Sequence, residues 1–205
     1  MTNRLEAPSR RLFRVAFAFL ISAACGGDKI HPADVLRSVA PFDSLGTIRL
    51  PQALRQIASA RPATKPAAYI GREEVLSGFQ VYYIDPQLRV SSERIPDDAE
   101  VREIAAEKTF PDDAAASAFW AVTRGRIEAN LGSSKQCFAE QPAKVLPSRA
   151  FVWPGEVHGS VALRQRYRQS TGQGELSPMV WISIGADQPL GVLRGLQSVD
   201  AARCN

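Results

Sequence analysis

The sequence predicts an α+β fold in which helices pack on small antiparallel sheets, arranged as two tandem α-β-β-β units. Two observations predict it. The apolar spacing changes from a helical to a strand period twice along the chain, and each half runs from a helix through a loop into strands. The predicted organisation is a signal peptide at 1–24, a tether with a short helix at 25–45, a first α+β unit at 46–95, and a second unit with a C-terminal tail at 96–205.

The N-terminal segment has the three parts of a secretory signal. Four arginines against one acid precede Val15–Ala24, ten residues without a charge that end in small side chains. A basic region, a short apolar region and small residues at its end direct a chain to export. A membrane-spanning helix is the alternative, but crossing the hydrocarbon takes roughly 20 apolar residues. The short run therefore predicts export.

The junction Ile21–Asp28 resembles the lipobox of bacterial lipoproteins, in which small residues precede a cysteine that becomes the acylated N-terminus. The resemblance implies lipidation of Cys25 and attachment to a membrane through the lipid. Gly26, next after the cysteine, implies the periplasmic face of the outer membrane. Ordinary cleavage after Ala24 is the alternative.

The cysteine count favours lipidation. The chain has three cysteines, and an exported protein with an odd cysteine needs an explanation. Lipidation of Cys25 leaves Cys137 and Cys204, which we expect to form a disulfide in an oxidising compartment.

The charge of the exported part is close to zero. Residues 25–205 carry 21 of the 25 basic and 20 of the 21 acidic residues, which leaves a net charge of +1. The balance of +4 for the whole chain belongs mostly to the leader. Composition therefore gives no indication of a nucleic-acid partner.

The first half begins with helical spacing. A short helix is predicted at 33–40, and a longer one at 50–60 has Pro51 at a favoured first position. A hairpin then follows, with strands at 67–75 and 79–84 around a Ser-Gly turn, and a third strand at 88–94. The side chains predicted to share the buried face of the second strand are Phe79, Val81 and Tyr83.

The second half is predicted to be helical over 96–131. Pro-Asp-Asp-Ala occurs at 96–99 and again at 111–114, and proline followed by acids is typical of a helix start. The second copy opens a helix that runs to Leu131, with Gly132 as its cap and Gly125 as a possible break. Its predicted apolar stripe is Ala116, Trp120, Thr123, Ile127 and Leu131.

The last part of the chain has strand spacing. Strands are predicted at 149–153, 159–168 and 178–184, the last two joined as a meander, with an irregular tail at 185–205. The aromatic residues predicted to lie in the core are Tyr69, Phe79, Tyr83, Phe119, Trp120, Phe151, Trp153 and Trp181.

A helix that ends in Leu131-Gly132, a short loop, a strand that closes on Trp153 and a following hairpin resemble the SmpA/OmlA fold. That fold is the small lipoprotein domain of the outer-membrane β-barrel assembly machinery, and similar tandem units occur in β-lactamase inhibitor proteins. The resemblance covers residues 45–185 in element order. It implies a non-catalytic protein that presents a sheet or loop surface to another protein.

Residues with catalytic chemistry are few. His31 lies in the tether, and His158 lies in a predicted turn without a positioned partner. Ser133 and Ser134 occur without a nucleophile motif, so we expect them to bond the backbone of their loop. No His, Cys and carboxylate residues have metal-ligand spacing, and no cofactor motif occurs. The acidic pairs are explained by strand alternation at Glu73-Glu74 and by helix starts elsewhere.

One strand carries a repeated charge. Alternation in 161–168 places Arg164, Arg166 and Arg168 on one face and apolar residues on the other. Three guanidinium groups in a row could hold a carboxylate or phosphate. The alternative is the solvated face of an antiparallel sheet, and the balancing acids elsewhere favour it.

Together these features predict a non-catalytic, lipid-anchored protein of the cell envelope that binds another envelope component. One alternative is a secreted envelope hydrolase with a site around His158 and the Ser133 loop. A second alternative is an adaptor that holds an anionic ligand on the arginine face.

Overall fold

The framework of the chain is a nine-stranded antiparallel sheet. The computed structural model describes residues 32–46, 49–67, 71–85, 99–134, 136–140, 148–154, 159–169, 176–186, 193 and 195–200. Within this part the fold is α+β and mostly β. Its strands are β1 (Gln52–Ala53), β2 (Lys65–Ala67), β3 (Gly71–Leu76), β4 (Phe79–Ile84), β5 (Glu100–Val101), β6 (Glu103–Thr109), β7 (Gln136–Ala139), β8 (Arg149–Pro154), β9 (Ser160–Gln169), β10 (Leu176–Gly185) and β11 (Gln197–Val199).

The sheet joins two runs of strands that follow one another in the chain. Its order is β11-β7-β8-β9-β10-β6-β4-β3-β2, while β1 and β5 form a separate pair. The two runs meet where β6 pairs with β10, with Ile104 opposite Ile184 and Ala106 opposite Ile182. The sequence predicts separate small sheets. In the structure the two runs form one continuous sheet, because the pairing of β6 with β10 satisfies two strand edges that would otherwise stay open.

The predicted hairpin is confirmed where the structure describes it. Strands β3 and β4 pair from Gly71 opposite Ile84 to Leu76 opposite Phe79. Ser77 and Gly78 make the turn with φ of 53° and 76°, as a tight hairpin with the natural strand twist requires. Phe79, Val81 and Tyr83 are buried, as predicted. The predicted third strand at 88–94 and residue Tyr69 lie outside the described residues.

The prediction of a helix over 96–131 is wrong for its first part. Residues 103–109 form β6, between β4 and β10, although alanine, glutamate and lysine favour helices. Alternation explains the strand: Ile104 and Ala106 face the core, while Glu103, Ala105 and Glu107 face the other way. Pairing on both sides outweighs the weak helix preference. Strand β6 thereby extends the first run, although the sequence assigns it to the second unit.

The long helix is confirmed as α3 (Asp113–Leu131), and Gly125 does not interrupt it. The Asp112 side chain accepts a hydrogen bond from the Ala115 amide at 2.7 Å, which caps the first turn. Gly132 follows at φ 73°, a conformation that glycine adopts without strain. Four members of the predicted stripe, Ala116, Trp120, Thr123 and Ile127, are buried.

The helices share one side of the sheet. Helix α1 (Pro32–Leu36) and α2 (Leu54–Ala60) join α3 there. The start of α2 is later than predicted, because Gln52 and Ala53 pair with β5. The helices and the facing strands form one core, whose largest buried members include Leu36, Ile57, Tyr83, Ile104, Ile127, Phe151, Leu163 and Ile182. None of the helices in the described ranges is long and apolar enough to cross a membrane.

The C-terminal strands are confirmed as β8, β9 and β10, which form an antiparallel meander. Strands β7 and β11 are not predicted by the sequence, since both are too short to show a period. They pair with Val199 opposite Cys137. Cys137 is buried and disulfide-bonded. Its partner lies outside the described residues, as do Cys25 and Cys204, so the pairing with Cys204 stays a prediction.

A buried ion pair ties α2 to the sheet. The Arg61 side chain, next after α2, pairs with the Glu74 carboxylate on β3. The Tyr83 hydroxyl donates to the same carboxylate oxygen at 2.5 Å. Only 4% of the Glu74 side chain is exposed. Burying a carboxylate without partners costs free energy. These bonds therefore favour the arrangement in which the end of α2 lies against β3.

We expect Glu74→Ala to lower the free energy of unfolding by about 3–5 kcal/mol, because it leaves the largely buried Arg61 charge without its carboxylate and the Tyr83 hydroxyl without an acceptor. Urea unfolding measures the loss. The control is the double variant Arg61→Met/Glu74→Met, which removes both charges and should lose much less. Equal losses in the two variants would contradict this account.

Candidate functional site

The side of the sheet opposite the helices is called the outer face here, and it carries the predicted arginines. The odd-numbered side chains Val161 and Leu163 of β9 lie in the core beneath the helices. By alternation, Arg164, Arg166 and Arg168 share the outer face, as predicted. Their surroundings nevertheless differ, so they do not form a uniform row.

Arg164 is buried within the outer face. Its exposed fraction is 6%, and its Nε donates a hydrogen bond to Ser148 Oγ at 2.7 Å. Burial, together with the positive charge of Arg166, lowers the pKa of Arg164 to about 10, and Glu140 opposes the shift. The guanidinium remains charged at neutral pH and gives this part of the sheet a fixed positive charge.

Arg166 lies over the Trp181 ring. Its guanidinium carbon is 4.3 Å from the centroid of the Trp181 indole, a cation–π contact. Its Nε lies 3.2 Å from Met179 Sδ, and its Nη2 lies 3.2 Å from Glu107 Oε2. These three contacts hold the side chain in one orientation.

Glu107 on β6 is the acceptor that these groups share. Tyr82 donates its hydroxyl to Glu107 Oε1 at 3.0 Å, and Arg168 reaches the same oxygen at 3.9 Å. The Glu107 side chain is 9% exposed, whereas that of Arg168 is 65% exposed. Burial, followed by the negative charge of Glu107, raises the pKa of Tyr82 above its ordinary value of 10. The tyrosine is therefore a hydrogen-bond donor at any physiological pH.

Strand β10 adds two donors to the outer face. The Trp181 indole Nε1 and the Ser183 hydroxyl are buried, and neither has a hydrogen-bond partner in the described ranges. The sequence assigns Trp181 to the core. It lies instead directly between Glu107 of β6 and Arg164 of β9, because its neighbours Val180 and Ile182 take the core side.

Part of the outer face is open to solvent, and we call this part the open sheet face. Its members are at least partly exposed residues of the outer face: Glu73, Val75, Tyr82, Thr109, Arg166, Arg168 and Trp181. The other end of the outer face is closed. Ala162 and Ser183 are fully buried there, and Leu193 packs against the cluster around Ala162.

The sequence predicts that the arginines share a face, but it does not predict their partners. It predicts a helix at Glu107 and gives no local sign of the role of Tyr82. The pattern Glu-Ile-Ala-Ala-Glu at 103–107 puts both glutamates on one side of a strand as well as of a helix. No local sequence pattern predicts that Arg166 of β9 contacts Glu107 of β6, because the two residues are about sixty positions apart in the chain.

The predicted catalytic alternatives fall mostly outside the described residues, which include neither His31 nor His158. Ser133 is exposed, and the Ser134 hydroxyl contacts the backbone carbonyls of Gln136 and Val152, as expected for a loop serine. Glu73 and Glu74 point to opposite faces, also as expected. Among the described residues, no group of three or more His, Cys, Asp or Glu side chains could hold a metal ion.

The chain matches no protein-family model, no curated protein and no solved structure. The site combines two guanidinium groups, an indole and a phenol around one carboxylate. Such groups bind carboxylates, phosphates and planar surfaces.

The raised pKa of Tyr82 predicts a stability effect in alkali. Because the unfolded tyrosine loses its proton near pH 10 and the folded one does not, its contribution is complete below pH 10 and falls above it. The loss is at most about 1.4 kcal/mol per pH unit, and solvent screening of the partly exposed phenol reduces it. Arg164, whose folded pKa is lowered, acts in the opposite direction above pH 10, so the effect of Tyr82 must be isolated by a variant.

We therefore expect the stability advantage of wild type over Tyr82→Phe to be constant between pH 7 and 9 and to shrink between pH 10 and 11. Arg164 is common to both proteins and cancels. Urea unfolding at each pH measures the difference. An advantage that grows with pH would refute the assigned direction.

Proposed function

We propose that this chain is a non-catalytic, lipid-anchored protein of the cell envelope that binds another envelope protein through its open sheet face. The observation that carries the proposal is the contrast between the two faces. Helices cover one face with an apolar core, while the other presents charged and aromatic side chains to solvent.

The composition of the open sheet face supports a protein partner. Tryptophan, tyrosine and arginine are the residues that contribute most often to the energy of protein interfaces. Arg166, Trp181 and Tyr82 lie together around Glu107 on central strands. Val75, two strands away, is 71% exposed and adds an apolar contact. Rigid strands hold these groups in place, which lowers the entropy that binding would cost.

The finer organisation into two tandem units belongs to the same proposal. Helix α2 precedes the run β2-β3-β4-β6, and α3 precedes β7-β8-β9-β10. Each run lies in the sheet in chain order, and the runs face each other at the β6–β10 pair. A boundary just ahead of α3 gives each unit one covering helix and four strands. A binding surface built across two such units spans more strands than either alone.

The anchor and the disulfide complete the proposal. A lipid on Cys25 would place the tether at the membrane and the sheet in the periplasm. Cys204 lies five residues beyond Val199, which pairs with Cys137 across β7 and β11. A Cys137–Cys204 disulfide would keep the C-terminal strand at the edge of the sheet.

Site-specific photo-crosslinking in intact cells tests the binding surface. A photoreactive residue in place of Val75 should capture one discrete envelope protein. The matched control replaces Val122, which is 55% exposed on α3, and should not capture it. The same product from both positions, or a product from Val122 alone, would refute binding through the open sheet face.

Mass spectrometry of the mature protein tests the anchor and the disulfide. We expect the N-terminus to be an acylated Cys25, with residues 1–24 removed. A digest without reductant should contain the Cys137 and Cys204 peptides joined. The variant Cys25→Ser should lose the lipid and leave the joined peptides unchanged. An uncleaved chain, or a Cys25–Cys137 link, would contradict both assignments.

A further inference from the structure

We infer that the open sheet face recognises an extended, acidic segment of its partner, whose carboxylates bind Arg166 and Arg168. This inference rests on the proposed function and adds the chemistry of the partner. It concerns the two arginines that reach solvent, since Arg164 is buried.

The charge around Glu107 favours an acidic partner. On the outer face, the guanidinium groups of Arg166 and Arg168 both pair with the single Glu107 carboxylate. The other solvent-accessible acid of the open sheet face, Glu73, lies 3.9 Å from Lys65 at the sheet edge. The two arginines that reach solvent therefore exceed their shared carboxylate by one positive charge. A partner that brings carboxylates balances this charge, whereas a basic partner would be repelled.

The Arg166 guanidinium is held in one orientation by its neighbours. Trp181 and Met179 fix it, and Nη2 is used by Glu107. Nη1 has no acceptor among the described residues. A fixed guanidinium with spare donors, on a side chain that is 29% exposed, is prepared for a further carboxylate. Little side-chain entropy would be lost on binding, because the protein has already ordered the group.

Arg168 is weakly attached to the sheet. Its one ion pair in the described part of the chain, with Glu107, is 3.9 Å long, and the Arg168 side chain is 65% exposed. Exposed pairs of this kind contribute little to stability and exchange readily. An incoming carboxylate competes for Arg168 without disturbing the buried bonds of Glu107 to Tyr82 and Arg166.

Spacing indicates what kind of segment fits. Arg166 and Arg168 are two residues apart on one strand face, roughly 6.6–6.8 Å. Alternate side chains of an extended segment have the same spacing, so acids at every second position match the two arginines. The partly exposed Trp181 and Tyr82 rings lie on the side of Arg166 away from Arg168, where residues of the segment next to the acidic pair could pack on them. This aromatic surface favours a protein segment over a phosphate head group.

Peptide binding to the mature chain tests the inference. The probe is a fluorescently labelled peptide in which glutamate alternates with threonine, and the control peptide has glutamine in place of glutamate. Fluorescence anisotropy should detect binding of the acidic peptide alone. The double variant Arg166→Gln/Arg168→Gln should bind it at least tenfold more weakly.

The matched control removes the same charge from the helix side. Arg37 and Arg55 are exposed there, and Arg37→Gln/Arg55→Gln should bind the peptide as wild type does. An equal loss in both double variants would mean general charge attraction and would overturn the inference. So would absence of binding to wild type.

A second variant keeps the test decisive if the double arginine variant fails to fold. Glu107→Gln removes the competing carboxylate while it keeps the shape of the side chain, so acidic peptide should bind at least threefold more tightly. No gain in a folded Glu107→Gln protein overturns the inference. Thermal unfolding followed by circular dichroism checks that each variant is folded.

Two outcomes separate the inference from the proposed function. If Val75 crosslinks a discrete envelope protein but the acidic peptide does not bind, the function stands and the acidic segment is wrong. If vesicles containing phosphatidylglycerol bind through Arg166 and Arg168 while the peptide does not, the arginines hold a lipid head group instead. Phosphatidylcholine vesicles are the control for that measurement.

Discussion

The pairing of β6 with β10 is the constraint on which the rest of the structure depends. It joins two runs of strands into one sheet and gives the helices a single continuous surface to cover. It also sets the register that puts Glu107 directly opposite Trp181. A shift of one residue would turn every side chain of β6 to the other face. Ile104 and Ala106 prevent the shift, because they belong in the core beneath the helices. The position of Glu107 on the outer face therefore follows from apolar packing on the opposite side.

The outer face shows how a sheet accommodates charge once the helices have taken one side. Arg164 stays charged although it is buried, and Ser148 and the nearby Glu140 compensate it in part. Arg166 is stacked and paired, and Arg168 extends into solvent. Three identical residues at alternate positions thus have three different environments. The difference arises from burial and from the neighbours on β6 and β10, and it leaves only Arg166 and Arg168 accessible to solvent.

The two sides of the molecule each contain a carboxylate bound by arginine and tyrosine, and they differ in how much solvent reaches it. On the helix side, Glu74 is closed in by Arg61 and Tyr83, and a partner could not reach it without breaking the core. On the outer face, Glu107 has a similar set of partners, but one of them is exposed and loosely held. The same chemistry, a carboxylate with arginine and tyrosine, therefore serves a structural role in one place and remains open to exchange in the other. Solvent access causes this difference, because breaking an exposed ion pair costs little free energy and breaking a buried one costs several kcal/mol.

The sequence by itself determined the elements with a strong local signal. The hairpin around Ser77-Gly78, helix α3 between Pro111 and Gly132, and the alternation that aligns the three arginines all follow from turn chemistry, helix-end residues and period. It failed at 103–109, where helix-favouring residues form a central strand, and at β7 and β11, which are too short to show a period. Only the tertiary structure decided that the two runs form one sheet, and that Glu107, Tyr82 and Trp181 surround the arginines. Strand pairing between distant segments depends on which apolar faces can be buried together, and no local stretch of sequence contains that information.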